Sequence, residues 1–64
     1  MDLTRRELEI ADYVARGWRN KQIADALKIK ESTVKMHLHK IYIKLRIDSR
    51  LQLAIIMSDV QAAE

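Results

Sequence analysis

The chain reads as an all-α protein, a compact four-helix domain built around a central helix-turn-helix. Three observations predict this. Proline is absent and glycine occurs once, so there are few helix breakers. Apolar residues recur at three- and four-residue spacing along most of the chain. Few β-branched residues alternate at period two, as a strand would require. The 64 residues make one domain, 1–64. A chain this short buries a limited core and is marginally stable unless something else helps.

The first helix is expected over about 5–16. Thr4 is a good N-cap, and Glu7 three residues on completes a capping box. Leu3 before the cap is positioned to staple onto Leu8. Leu3, Ile10, Ala11 and Val14 form the buried stripe. Gly17 ends the helix in a left-handed conformation, with Arg16 in the last turn. Trp18 follows; the sequence leaves open whether it packs back on the helix or stands exposed.

The second and third helices are expected at 20–27 and 31–45. Ile23, Ala24 and Leu27 mark the first, and Val34, Leu38, Ile41 and Leu45 form one stripe of the other. The break between them, Lys28-Ile29-Lys30, hardly lets the two helices lie side by side antiparallel. It suits the crossed pair of a helix-turn-helix, whose second helix enters the DNA major groove. Ala24 is small where the helices would cross, and Val34 faces it. The competing reading at this level is an ordinary helical hairpin in a small bundle. Arg19 and Lys30 stand where Ser, Thr or Asp would cap a helix, although Asn20 could serve the second helix. A cation there also opposes the helix dipole. Such a choice points to a phosphate near Lys30 or to simple tolerance.

The fourth helix is expected over about 49–60, with Ser49 and Gln52 as a possible capping box. Leu53, Ile56, Met57 and Val60 share one face. Leu51, Ile55, Ser58 and Ala62 lie nearly opposite, with Ala54 between. A helix apolar on two sides has two surfaces to cover. One face is expected in the core. The other, with Leu51, Ala54, Ile55 and Ser58, is expected at an interface.

Charge is distributed unevenly. The net charge is +3, yet residues 16–50 hold ten Lys or Arg against three acids. The stretches on either side are acidic. This is the footprint of a surface that binds a polyanion, or of a solvated basic face with no partner. On the third helix Ser32, Met36, His39, Lys40 and Ile43 point away from the core stripe, flanked by Thr33 and Lys35. Lys35 can donate to guanine O6 and N7, His39 can donate or accept, and Met36 suits a thymine methyl. Asn20, Lys21, Thr33, Lys40 and Lys44 are placed for phosphates.

Other functions find little support. His37 and His39 lie two residues apart on a helix, point about 200° apart and cannot chelate one ion. There is no cysteine for a disulfide or a thiolate metal site. No Ser/His/Asp constellation, glycine-rich loop or close carboxylate pair suggests an enzyme, and no cofactor is called for. No apolar run approaches the roughly 20 residues of a membrane span, and Met1-Asp2-Leu3-Thr4 does not begin a signal peptide. A cytoplasmic, nucleoid-associated location is the expectation.

Taken together, the motifs resemble the LuxR/FixJ/GerE-type helix-turn-helix domain of bacterial transcription regulators. The matching residues are Leu3-Thr4-x-Arg6-Glu7-x-Glu9-Ile10, Ala15-x-Gly17 and Asn20-Lys21-x-Ile23-Ala24-x-x-Leu27-x-Ile29. They continue with Thr33-Val34-Lys35-x-His37-Leu38, Ile41-x-x-Lys44-Leu45 and Ser49-Arg50-x-Gln52. The resemblance runs from residue 3 to about 57. It implies a third helix reading the major groove of double-stranded DNA and a fourth helix making a homodimer. Lys35, Met36 and His39 would approach bases. Asn20, Lys21, Lys30, Thr33, His37, Lys40 and Lys44 would serve the DNA backbone. Further implied partners are RNA polymerase and an N-terminal receiver or ligand-binding domain, if the chain is an excised piece rather than a stand-alone member.

The chain departs from the family pattern in several places. Arg19 and Lys30 replace small hydroxyl caps. Ala11 stands where a larger aliphatic is usual. Leu8 is apolar where the family is commonly polar, which suits contact with a neighbouring domain. Two alternatives stay open. One is a helical protein-interaction module using the apolar face of the fourth helix, with only non-specific nucleic-acid binding. The other is a non-specific binder of RNA or anionic membrane.

Overall fold

The computed structural model describes residues 2–62, with side chains to Asp59. It contains α1 (Arg5–Ala15), α2 (Asn20–Leu27), α3 (Glu31–Leu45) and α4 (Arg50–Ala62). The expected helices are all present, with ends within about two residues, the usual uncertainty of helix boundaries. α1 packs chiefly on α4 and also on α3, while α2 packs on α3. The core gathers Leu3, Ile10, Ala11, Val14, Ile23, Ala24, Val34, Leu38, Ile41, Leu53 and Met57. Ala24 and Val34 are both buried, as the close crossing of α2 and α3 requires. Leu27, Leu45 and Ile56 are half-buried. The side chains of Val60 and Ala62, expected on opposite faces of α4, lie outside the described residues.

The N-termini follow local chemistry. Thr4 and Glu7 form the expected capping box: the Glu7 N–H donates to Thr4 Oγ1 at 3.2 Å, and the Thr4 N–H donates to Glu7 Oε1 at 2.8 Å. The expected staple differs in outcome. Leu3 is buried with the core, whereas Leu8 stays exposed. At α2 the Arg19 side chain has no acceptor to offer, so only half a box forms, from the Arg19 N–H to Gln22 Oε1 at 2.8 Å. α3 starts at Lys30 with no side-chain cap. At α4 the Gln52 N–H donates to Ser49 Oγ at 3.2 Å. The return bond runs from the Asp48 N–H to Gln52 Oε1 at 3.0 Å, one residue before the position of a capping box.

The helix C-termini share one solution. Gly17, Lys28 and Arg46 all have left-handed backbone, with φ of 85°, 57° and 56°. The next residue in each case, Trp18, Ile29 or Ile47, sends its N–H back to the carbonyl of Tyr13, Ala24 or Tyr42, at 3.0 Å each. These are Schellman closures, and the apolar residue that follows packs against the core every time. Trp18 is half-buried, its ring 4.4 Å from that of Tyr13.

Among the described residues, one charged side chain is buried. Glu7 is 2% exposed, and its Oε1 accepts from both the Thr4 N–H and Lys44 Nζ, the latter at 2.7 Å. The ammonium of Lys44 beside it, with the Thr4 N–H, holds the Glu7 carboxyl below its ordinary pKa. The bond clamps the first turn of α1 to the last turn of α3.

Lys28→Gly should relieve left-handed strain and raise stability by about 0.5–1 kcal/mol, less than the full penalty because glycine also loosens the unfolded chain. Gly17→Ala should cost about 1 kcal/mol and no more, since a Cβ there meets nothing within 4 Å. Urea titration followed by circular dichroism measures both. For Glu7, a depressed carboxylate contributes stability that is present above its unfolded pKa, about 4.3. That contribution disappears as the pH falls through the lower folded value. Wild type should therefore lose stability below about pH 4.3 more steeply than Glu7→Gln. Equal acid limbs in the two proteins would show that the pair contributes nothing.

Candidate nucleic-acid interface

α3 presents two faces. Val34, Leu38 and Ile41 are buried, while Ser32, Lys35, Met36, His39, Lys40 and Ile43 are exposed. Met36 is 49% and Ile43 64% exposed, large values for apolar side chains in a domain whose core is otherwise closed. Lys35 approaches Glu31 one turn back at 3.8 Å, with both side chains largely in water. Such a pair is worth under about 1 kcal/mol and leaves the lysine free to turn to another anion.

Beside this face lies a shallow depression lined by Asn20, Lys35, Leu38, His39, Tyr42 and Arg50. Leu38 and Tyr42 supply its apolar lining, and the remaining four residues carry donors. Asn20 is the first residue of α2, so the unpaired N–H groups of that helix start also lie close by. The hollow therefore combines three side chains that the sequence assigns to DNA (Asn20, Lys35 and His39) with two it did not single out. Arg50 is one of these. Its Nη1 donates to Asn20 Oδ1 at 2.7 Å, and its Nη2 donates to the Trp18 carbonyl. Only its place in the Ser49-Arg50-x-Gln52 pattern signalled it. Tyr42 gave no signal, because its position on α3 falls between the core stripe and the outward face.

The other expected backbone contacts do not line this hollow. Lys21, Lys30 and Lys40 are exposed, and Thr33 is half-buried. His37 is half-buried, with Nδ1 enclosed and lacking a hydrogen-bond partner. Lys44 has a different setting from the one expected. Its ammonium is held by buried Glu7, so its first effect on removal is a stranded carboxylate rather than a lost surface charge. On α4, Leu51 (70%) and Ile55 (54%) are exposed while Leu53 and Met57 are buried, the division of faces that the sequence predicts. Ser58 is exposed and Ala54 half-buried on the same outer side. Among the described residues no group of His, Asp or Glu could hold a metal ion, and no helix is long and apolar enough to cross a membrane.

Comparison with known proteins agrees with this architecture. The model of the family described as bacterial regulatory proteins, luxR family, matches residues 1–57. The nitrate/nitrite response regulator protein NarP of Escherichia coli is 40% identical over 62 residues, 97% of this chain and 29% of that protein. The transcriptional regulatory protein LnrK of Bacillus subtilis is 46% identical over 55 residues, 86% of this chain and 25% of that protein. A second Bacillus subtilis protein, the transcriptional regulatory protein YxjL, is 44% identical over 52 residues, 81% of this chain and 24% of its own length. The chain thus spans about a quarter of the length of these relatives. With four helices in place and the match running through nearly all of them, the chain belongs to the luxR family of bacterial regulatory proteins.

Proposed function

We propose that this domain binds double-stranded DNA in a sequence-specific manner, with α3 in the major groove, and that it dimerises through the outer face of α4. The observation that carries the reading is the solvent-facing row Lys35, Met36 and His39 on the N-terminal half and middle of α3, beside the donor-lined hollow. That part of a recognition helix reaches base edges. Lys35 donates to guanine, Met36 meets a thymine methyl, and His39 reads a donor or an acceptor. Asn20, Lys21, Lys30, Thr33, His37 and Lys40 hold the phosphates. The enclosed, partnerless Nδ1 of His37 leaves Nε2 as the atom through which that ring would donate. Lys44 is left out of this set, because Glu7 already holds it.

Leu51 and Ile55 support the second half of the proposal. Joined about a two-fold axis, two α4 helices cover these side chains with Ala54 and Ser58 around them. One short helix pair buries little area, so the free dimer is weak and DNA strengthens it. The domain measures 30 × 21 × 20 Å, compact enough for two copies to sit on successive major grooves about 34–36 Å apart. The relatives are response and transcriptional regulators more than three times as long. In that setting the domain acts as an output module, with a receiver or ligand-binding domain and RNA polymerase as further partners. The exposed α4 face would equally serve a protein-interaction module, and the following measurements separate the two.

Selection of bound sequences from a random duplex pool should return an imperfect palindrome with half-sites about one helical turn apart. On the selected site, Lys35→Ala should weaken binding by about 1–3 kcal/mol and relax preference at one base pair. Equal losses on selected and scrambled duplex would remove Lys35 from base reading. Ile55→Asp should abolish cooperative binding to the full site while leaving the helical signal and the half-site affinity intact, because Ile55 is outside the core. A variant that binds the full site normally would show that α4 is not the dimer surface. A domain that selects no sequence at all would favour the protein-interaction module.

A further inference from the structure

The first residue of α4 reaches across to the start of α2. Arg50 uses two nitrogens of one guanidinium, Nη1 on Asn20 Oδ1 at 2.7 Å and Nη2 on the Trp18 carbonyl. These two acceptors flank Arg19, the N-cap of α2. Trp18 itself packs its ring at a tilt against that of Tyr13 of α1. α2 otherwise meets α3 and makes little contact with α4, so this fork is the main polar link between α2 and α4. Both bonds are partly buried. Arg50 is half-buried and is not presented as a free surface charge.

We propose that Arg50 is a positioning residue for DNA binding: it fixes the Asn20 carboxamide with its oxygen turned inward, so that the Nδ2 donors are the atoms offered to a DNA phosphate. The proposal rests on the DNA-binding reading above and assigns a role within it. A carboxamide is nearly symmetric in shape, and a free one presents oxygen or nitrogen to its surroundings with similar ease. A phosphate accepts only from the nitrogen; a wrongly turned oxygen would repel it. The guanidinium selects one orientation, because it can only donate. The same fork holds the first turn of α2 to the helix that carries Leu51 and Ile55. A rigid pairing of two α4 helices would thus set the position of Asn20 as well as that of α3. Lysine cannot substitute, since its single nitrogen lacks the planar fork that meets both acceptors at once.

The test is a double-mutant cycle on the full chain, read as affinity for a short duplex of arbitrary fixed sequence. Phosphate contacts carry no sequence information, so no selected operator is needed. Asn20→Ala should weaken binding about tenfold, the worth of one hydrogen bond to a charged group. Arg50→Lys should weaken it by a similar factor while leaving the salt dependence unchanged, because the charge is kept. In the Arg50→Lys background, Asn20→Ala should add less than about a twofold loss, the mark of two residues acting as one. The Asn20 side-chain amide resonances of the free protein should also move in Arg50→Lys.

Each contrary result is decisive. Independent losses that multiply would show that Arg50 does not act through Asn20. An Arg50→Gln variant whose salt slope falls by about one would make Arg50 itself a phosphate contact. Asn20→Ala leaves Arg50 on the Trp18 carbonyl and supplies an arm that keeps the fold. If it binds as wild type does, the proposal is overturned whatever happens to the Arg50 variants. If wild type fails to bind duplex at all, the DNA-binding reading fails and this role falls with it. Binding with an additive cycle sinks the Arg50 role alone.

Discussion

The structure depends on how its helices end. Each of the first three stops on a residue with left-handed backbone, and the following apolar side chain turns back into the core. Trp18, Ile29 and Ile47 are therefore both the closing residues of three helices and part of the wall of the core. This arrangement fixes the direction in which the chain leaves each of these three helices. Between α2 and α3 it does so in three residues, Lys28, Ile29 and Lys30. The short turn leaves α2 packed on α3, whose outer face is turned to solvent.

Only one of the three left-handed positions is glycine. Lys28 and Arg46 accept a backbone conformation costing about 1–2 kcal/mol for an L residue. Their charges lie at helix C-termini, where the dipole favours cations. Both also add to the basic stretch that spans α2 and α3. The opposite arrangement holds at the start of α3, where Lys30 sits against the dipole without a side-chain cap. The chain thus favours positive charge around the helix-turn-helix even where local helix stability would choose otherwise. Glu7 is the counterweight inside. Its carboxylate is buried, held by Lys44 and by the Thr4 N–H, and ties the start of α1 to the end of α3.

Much of this was legible in the sequence because the relevant signals are local. Thr4 with Glu7, Gly17, and the 3.6-residue spacing of Val34, Leu38 and Ile41 each act within one or two turns. The division of α4 into a core face with Leu53 and Met57 and an open face with Leu51 and Ile55 follows from the same periodicity. What the sequence hid was tertiary. Glu7 looked like a capping residue alone, and Lys44 like a surface cation, because their bond spans 37 positions. Arg50 showed no purpose until α4 was folded back beside Asn20, 30 positions away. Left-handed Lys28 and Arg46 were missed since glycine is the usual marker of that conformation. The indicator that could have found them is the apolar residue that follows each, matching Trp18 after Gly17. Leu8, expected beneath Leu3 in a staple, keeps 39% of its surface exposed.

Lys35, Met36 and His39 stand clear of the packed interior, and the weak pair of Lys35 with Glu31 is the sole bond among them. Exchanging any of the three removes no core volume and strands no buried group, and such surface changes are generally within about 0.5 kcal/mol of neutral. Folding and the make-up of this outer row are therefore separately adjustable: the three solvent-facing side chains can change while Leu38 and Ile41 on the opposite side of the same helix keep the scaffold unchanged.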